Sequence, residues 1–173
     1  NIGAKASVNF VQPSASAVAL NRIQSQDPTQ IMGRLTANGQ VMLVNPAGVV
    51  FGRGSQVDVG SLVASSLAIS DANFLNGNYR FAAGGQPALG AVVNQGRITT
   101  NNGGAVVFLA PVVKNHGQIN TDKGSTLLGA AQDITVDFAG DGLISYRVNA
   151  GAASALAENT GSVTADGGMA VLS

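Results

Sequence analysis

Asn94-Gln95-Gly96-Arg97-Ile98-Thr99-Thr100 recurs in kind 21 residues later as Asn115-His116-Gly117-Gln118-Ile119-Asn120-Thr121. A third version, Asn159-Thr160-Gly161-Ser162-Val163-Thr164-Ala165, follows after another 44 residues, about two such steps. Each is followed by a short polar turn, a glycine and an apolar strand: Gly104-Ala105-Val106-Val107-Phe108-Leu109, Gly124-Ser125-Thr126-Leu127-Leu128, and Gly168-Met169-Ala170-Val171-Leu172. A step of this length, with two or three short strands per step, is one turn of a parallel β-helix. The Leu-x-x-Leu-x-Leu spacing of leucine-rich repeats is absent.

The pattern assigns inward positions to Ile98, Ile119 and Val163 on one strand, and to Val107/Leu109, Leu127 and Met169/Val171 on another. Gly and Asn are expected at corners, with positive φ. One diverged coil, roughly residues 132–156, fills the gap before the third repeat. The first half is less regular but of the same kind. Asn45-Pro46-Ala47-Gly48 is a strong turn, and Ser55-Gln56-Val57-Asp58-Val59 alternates as a half-buried strand does. Asp27-Pro28 is a helix-start signal, so residues 21–34 are expected to hold a helical turn. Residues 71–86, with Phe74, Tyr79 and Phe81, depart from the repeat and read as an excursion such as a hairpin. Dividing the 173 residues by the step gives about eight coils of a right-handed parallel β-helix. At ~4.8 Å per coil that is a rod on the order of 40 Å long.

Composition agrees. Charged residues are 10% of the chain, against about 25% in typical domains. Stacked strands place like side chains one above another, which neutral amides, hydroxyls and Val tolerate and like charges do not. Nine basic and nine acidic residues cancel. There is no basic run, so no long-range attraction to nucleic acid or an anionic membrane is expected. No apolar run approaches the ~20 residues of a membrane-spanning helix. There is no cysteine. The abrupt start and the unfinished strand at residues 169–173 lead us to expect a fragment of something longer, arranged as one domain over 1–173.

Several linked motifs carry a family resemblance. They include Val8-Asn9-Phe10-Val11-Gln12-Pro13-Ser14, Ala19-Leu20-Asn21-Arg22-Ile23, Asp27-Pro28-Thr29-Gln30-Ile31-Met32-Gly33 and Leu35-Thr36-Ala37-Asn38-Gly39-Gln40-Val41. Asn45-Pro46-Ala47-Gly48-Val49-Val50-Phe51-Gly52, Leu62-Val63-Ala64-Ser65-Ser66-Leu67 and Asn73-Phe74-Leu75-Asn76-Gly77 follow in order. Over residues 1–85 the series resembles the two-partner secretion domain of large bacterial exoproteins such as filamentous haemagglutinin and the high-molecular-weight adhesins. Residues 86–173 match only as regular β-helix repeat. The resemblance implies a right-handed parallel β-helix that engages the periplasmic POTRA domains of an outer-membrane β-barrel transporter. It also implies localisation at the bacterial surface or beyond, reached through the periplasm. Asn45–Gly48 corresponds to the family's Asn-Pro-Asn-Gly turn, with Ala47 in place of the second Asn. The family's Asn-Pro-Asn-Leu motif is absent, and upstream capping strands are missing. The candidate recognition residues are therefore Gln12, Pro13, Ser14, Asn21, Arg22, Asn45, Pro46, Ala47 and Gly48.

Each site has a plainer reading beside it. Asn45–Gly48 is first of all a tight turn needed for folding. His116 shares its slot in the repeat with Gln95 and Thr160, an outward variable position. Asp133 and Asp137, four apart on a strand, stand about 13 Å apart, wider than the roughly 5–10 Å of a glycosidase pair. Asp133, Asp137 and Asp141 are too spread for one Ca²⁺ loop. One His and no Cys make a zinc site unexpected. No catalytic, cofactor or metal site is assigned. Two rivals to the secretion reading are an adhesive module binding host glycan or protein, with Tyr79, Phe81 and Phe74 beside an Asn-rich face, and a polysaccharide-active enzyme.

Overall fold

A computed structural model describes residues 1–85, 88–101, 103–138 and 144–173. The chain winds through six coils. The first holds β1 (Ser7–Phe10) and β2 (Val18–Arg22). The second holds β3 (Thr29–Ile31), β4 (Arg34–Ala37) and β5 (Gln40–Val44). The third holds β6 (Val49–Phe51), β7 (Gln56–Val59) and β8 (Ser61–Ser65). A first excursion then carries α1 (Asp71–Leu75) and β9 (Tyr79–Ala82). The fourth coil is β10 (Val92–Asn94), β11 (Arg97–Thr100) and β12 (Val106–Ala110), and the fifth is β13 (Val112–Asn115), β14 (Gln118–Asp122) and β15 (Ser125–Ala130). A second excursion, β16 (Asp133–Phe138) and β17 (Ile144–Ala150), precedes the sixth coil of β18 (Leu156–Asn159), β19 (Ser162–Asp166) and β20 (Met169–Leu172).

Each coil from the second onward adds one strand to each of three parallel sheets, and the first adds one to two of them. Sheet A runs β3-β6-β10-β13-β18, sheet B β1-β4-β7-β11-β14-β19, and sheet C β2-β5-β8-β12-β15-β20. An Ile2–Ile31 bridge extends sheet A into the first coil. The register is the one the repeat predicts. Asn94 lies on Asn115 and Asn115 on Asn159, while Ile98, Ile119 and Val163 stack in turn.

The count of eight coils is corrected to six among the described residues, so the stack rises about 24 Å between its first and last rungs. The difference lies in the excursions. Where a diverged coil is expected over residues 132–156, the described residues instead hold β16 and β17 paired antiparallel, and β16 also pairs antiparallel with β9. The first excursion holds a short helix capped by Ser70, whose Oγ accepts from the Asn73 N–H. Its last expected residue, Gln86, lies outside the described residues. The helical turn expected near Asp27-Pro28 is not formed. Thr29–Ile31 is instead claimed by pairing with Val49–Phe51.

The strands β9, β16 and β17 form a fourth sheet that lies against sheet C. Two buried layers result. The lumen holds Leu35, Val57, Ile98, Ile119, Val106, Phe108 and Leu128, with Phe51 and Phe108 stacked at 5.7 Å. Between sheet C and the excursions lie Val107, Leu109, Leu127, Phe81, Ile134 and Val136. Val107, Leu109, Leu127, Met169 and Val171 are therefore not lumen residues. They face outward from sheet C into this second core. The alternate residues fill the lumen, which is why Val106–Ala110 is apolar without a break.

The corners need glycine for room. A Cβ on Gly117 would sit 2.2 Å from the Gly96 carbonyl oxygen, and one on Gly168 would sit 1.7 Å from that of Gly124. Positive φ, the reason expected from sequence, occurs at Gly48, Gly103 and Gly167 but not at Gly96, Gly117 or Gly161.

Candidate functional site

Asn45–Gly48 forms the corner between β5 and β6. The Asn45 side chain is fully buried. Its Nδ2 donates to Thr29 Oγ1 (2.9 Å) and to the Asp27 carbonyl (3.1 Å), and its Oδ1 accepts from the Ala47 N–H (3.0 Å). The Gly48 N–H closes the turn on the Asn45 carbonyl at 2.8 Å, and Gly48 takes φ 106°. Gly90 of the following coil donates to the Pro46 carbonyl at 2.8 Å. It packs so tightly that a Cβ there would meet the Ala47 carbonyl oxygen at 1.9 Å. The corner is thus pinned from both neighbouring coils. Pro46 and Ala47 are half-buried, and only Asn45 and Gly48 are wholly enclosed.

Gln12 does similar work at the β1–β2 corner. Its Nε2 donates to the carbonyls of Ala17 (2.7 Å) and Gln40 (3.0 Å), and its Oε1 accepts from the Gly39 N–H (3.1 Å). Asn38 adds a reciprocal pair with the Gln12 backbone, at 2.7 and 2.8 Å. Pro13 and Ser14 are exposed beside it, and Ser14 Oγ meets Ser16 Oγ at 3.1 Å. Asn21 Nδ2 donates to the carbonyls of Ala19 and Met42 at 3.2 and 3.3 Å. Arg22 pairs with Asp71 and donates to the Ile69 carbonyl at 2.8 Å, which ties the first coil to the first excursion. The nine candidates therefore do not converge on one cleft. They hold two corners and one clamp in the first three coils.

The groups weighed as chemical sites are also placed. His116 Nδ1 shares a hydrogen bond with Thr160 Oγ1 at 2.6 Å, and its Nε2 lies 3.5 Å from Glu158 Oε1. It occupies the same slot as Thr160 one coil on, as the repeat predicts. Asp133 accepts from Arg80 and from Asn149 Nδ2. The Arg80 hydrogen bond is the main cause holding its carboxyl below the ordinary range. Asp141 lies outside the described residues. Phe81 is fully buried, and Tyr79 meets Phe138 edge-on at 5.2 Å. Those rings, with Phe74, pack the excursions onto the rod.

A three-sided parallel β-helix with an antiparallel second layer defines a β-solenoid, and its pinned N-terminal corners set it apart from a plain repeat array. The family described as the TPS secretion domain matches residues 1–172, and the chain belongs to it. The structure is similar to the crystal structure of the HMW1 secretion domain from Haemophilus influenzae, with TM-score 0.88 and 34% identity, over 96% of this chain and 44% of that one. Two curated relatives from Haemophilus influenzae are each named heme/hemopexin-binding protein. One is 34% identical over 172 residues, covering 95% of this chain and 19% of the relative. The other is 40% identical over 81 residues, covering 47% and 9%. The chain is therefore a domain of a large secreted exoprotein, and its family is one of secretion domains rather than of enzymes.

Proposed function

We propose that this domain directs its exoprotein to a cognate two-partner secretion transporter in the outer membrane, and that the transporter's periplasmic POTRA domains read the chain before it folds. The observation that carries the second half is the burial of Asn45. In the folded corner its side chain has no surface to offer and its three polar contacts are internal. A partner that reads that amide meets it in the unfolded chain. Pro13 and Ser14 are exposed in the fold and are available in either state. Once the chain emerges, the Asn45 corner and the Gln12 staple lock the first three coils, on which later coils stack. The ligands in the relatives' names belong to proteins of which this chain matches a fifth or less, and the proposal does not rest on them.

The test is binding of the isolated POTRA domains to this chain held unfolded in mild denaturant, and to the folded chain. The expected result is tighter binding to the unfolded form, weakened by changes at Asn45 and at Gln12-Pro13-Ser14. Absence of binding in both states would overturn the targeting reading. Equal binding in both states, insensitive to Asn45, would overturn recognition before folding.

A further inference from the structure

Three arginines that the secretion reading leaves unused come together on the outer face of sheet B. Arg34, Gln56, Arg97, Gln118 and Ser162 follow one another in register from the second coil to the sixth. All five are exposed. Arg53, from the turn before β7, joins them along a shallow groove of about 830 Å³. Arg22 and Arg80 are engaged in ion pairs, but Arg34, Arg53 and Arg97 have no side-chain hydrogen bond or ion pair among the described residues. Asp58 is the single carboxylate among the described lining residues. Ser55, also in the lining, has a buried Oγ without a protein partner.

The chemistry of the face narrows the ligand. Unpaired guanidinium groups favour anions that present two oxygens to the fork, carboxylate and phosphate and, by the same oxygen geometry, sulfate. Sheet B strands are paired on both sides through the middle of the groove, so an incoming peptide finds no free edge to extend. The described lining holds no Phe or Tyr, and its one aromatic ring, the His116 imidazole, is already engaged by Thr160 and Glu158, so no free ring is offered on which a base could stack. What it does offer is the same polar slot at every rung, ~4.8 Å apart, with Arg34 and Arg97 two rungs apart at about 10 Å. A linear polymer with regularly spaced anions and hydroxyls between them matches that spacing. We propose that this face binds an acidic polysaccharide laid along the helix axis, with its anionic groups on Arg34, Arg53 and Arg97 and its hydroxyls on Gln56 and Gln118. The site differs from the aromatic surface weighed from sequence, whose rings are packed away.

The probes are a heparin decasaccharide and an oligogalacturonate of equal length, which separate sulfated from carboxylated polymers. Each is titrated calorimetrically into the folded domain, with poly-glutamate as competitor. Two variants lose the same charge: R34Q/R53Q/R97Q in the groove and K114Q/K123Q/R147Q elsewhere. The expected result is binding of at least one saccharide, weakened about tenfold or more by the groove variant and little by the other. Unchanged thermal unfolding of both variants shows that folding is not the cause. The proposal is overturned if neither saccharide binds, if the two variants weaken binding alike, or if poly-glutamate competes as well as the saccharide.

Discussion

Asn45 satisfies partners on two coils from a position without solvent contact. Replacing it with alanine leaves Thr29 Oγ1 and the Asp27 carbonyl without that donor and the Ala47 N–H without that acceptor. N45A is expected to cost about 1–3 kcal/mol, read as a lower midpoint in urea unfolding with an unchanged slope. An unchanged midpoint would remove the corner from the list of features that hold the coils. Gly124 makes a different kind of demand. A methyl group there would sit 1.9 Å from the Gly104 carbonyl oxygen, and backbone cannot swing aside as a side chain can. G124A is expected to destabilise by about 1–3 kcal/mol through overpacking, although its φ is not in the left-handed region. Sequence alone points to glycine here but misstates the reason, because the crowding comes from a neighbouring coil and not from the residue's own backbone.

At the level of elements, the repeat Asn-x-Gly-x-[Ile/Val] was legible because its register is local: each copy carries its own corner and its own inward residue. The excursions were not. β16 and β17 alternate as any half-buried strands do, and nothing local distinguishes a strand that joins a coil from one that lies across it. The clue was the unbroken apolar run Val106–Ala110, which has no solvent face to spare. The same limit applies to the groove. Gly33-Arg34-Leu35 and Gly96-Arg97-Ile98 share one slot, but only the register of the sheets shows that they lie on one line. The second layer also carries a pH dependence. The Asp133 carboxyl is held low first by its hydrogen bond with Arg80 and further by Asn149, against the opposing effect of burial. A carboxyl depressed by folding contributes stability that is complete above its unfolded value of about 4 and fades as pH falls through the lower folded value. Between about pH 7 and about pH 3 the Tm of D133N should therefore fall less than that of the unaltered chain. Parallel acid profiles would assign the acid sensitivity elsewhere.

For the whole molecule, stability is a sum over neighbouring rungs, and burial is graded along the axis. In the central strands β11 and β14 the inward residues Ile98 and Ile119 are fully buried, whereas β1 and β19 bury no residue completely. Amide hydrogen exchange is expected to be slowest in β11, β12, β14 and β15 and to quicken toward β1 and β20. Uniform protection would mean that the six coils open as one unit. Zero net charge at this scale conceals the convergence of Arg34, Arg53 and Arg97 on one face, because the rod distributes its charges by side and not by total.

The column Asn94, Asn115, Asn159 has a direction. The Gly96 N–H donates to Asn94 Oδ1 at 3.0 Å, which fixes the orientation of that amide. Its Nδ2 must then point onward, and it donates to Asn115 Oδ1 at 2.8 Å, as Asn115 Nδ2 does to Asn159 Oδ1. Below Asn94 the column is closed by Phe51, which has no amide to offer. The stack is therefore polar in the sense that a filament is: one end is blunt, and the other carries the Asn159 amide N–H groups. Along this column each coil is held by the asparagine oxygen it brings to the donor of the coil before it, so the order of the coils is written into the direction of the hydrogen bonds.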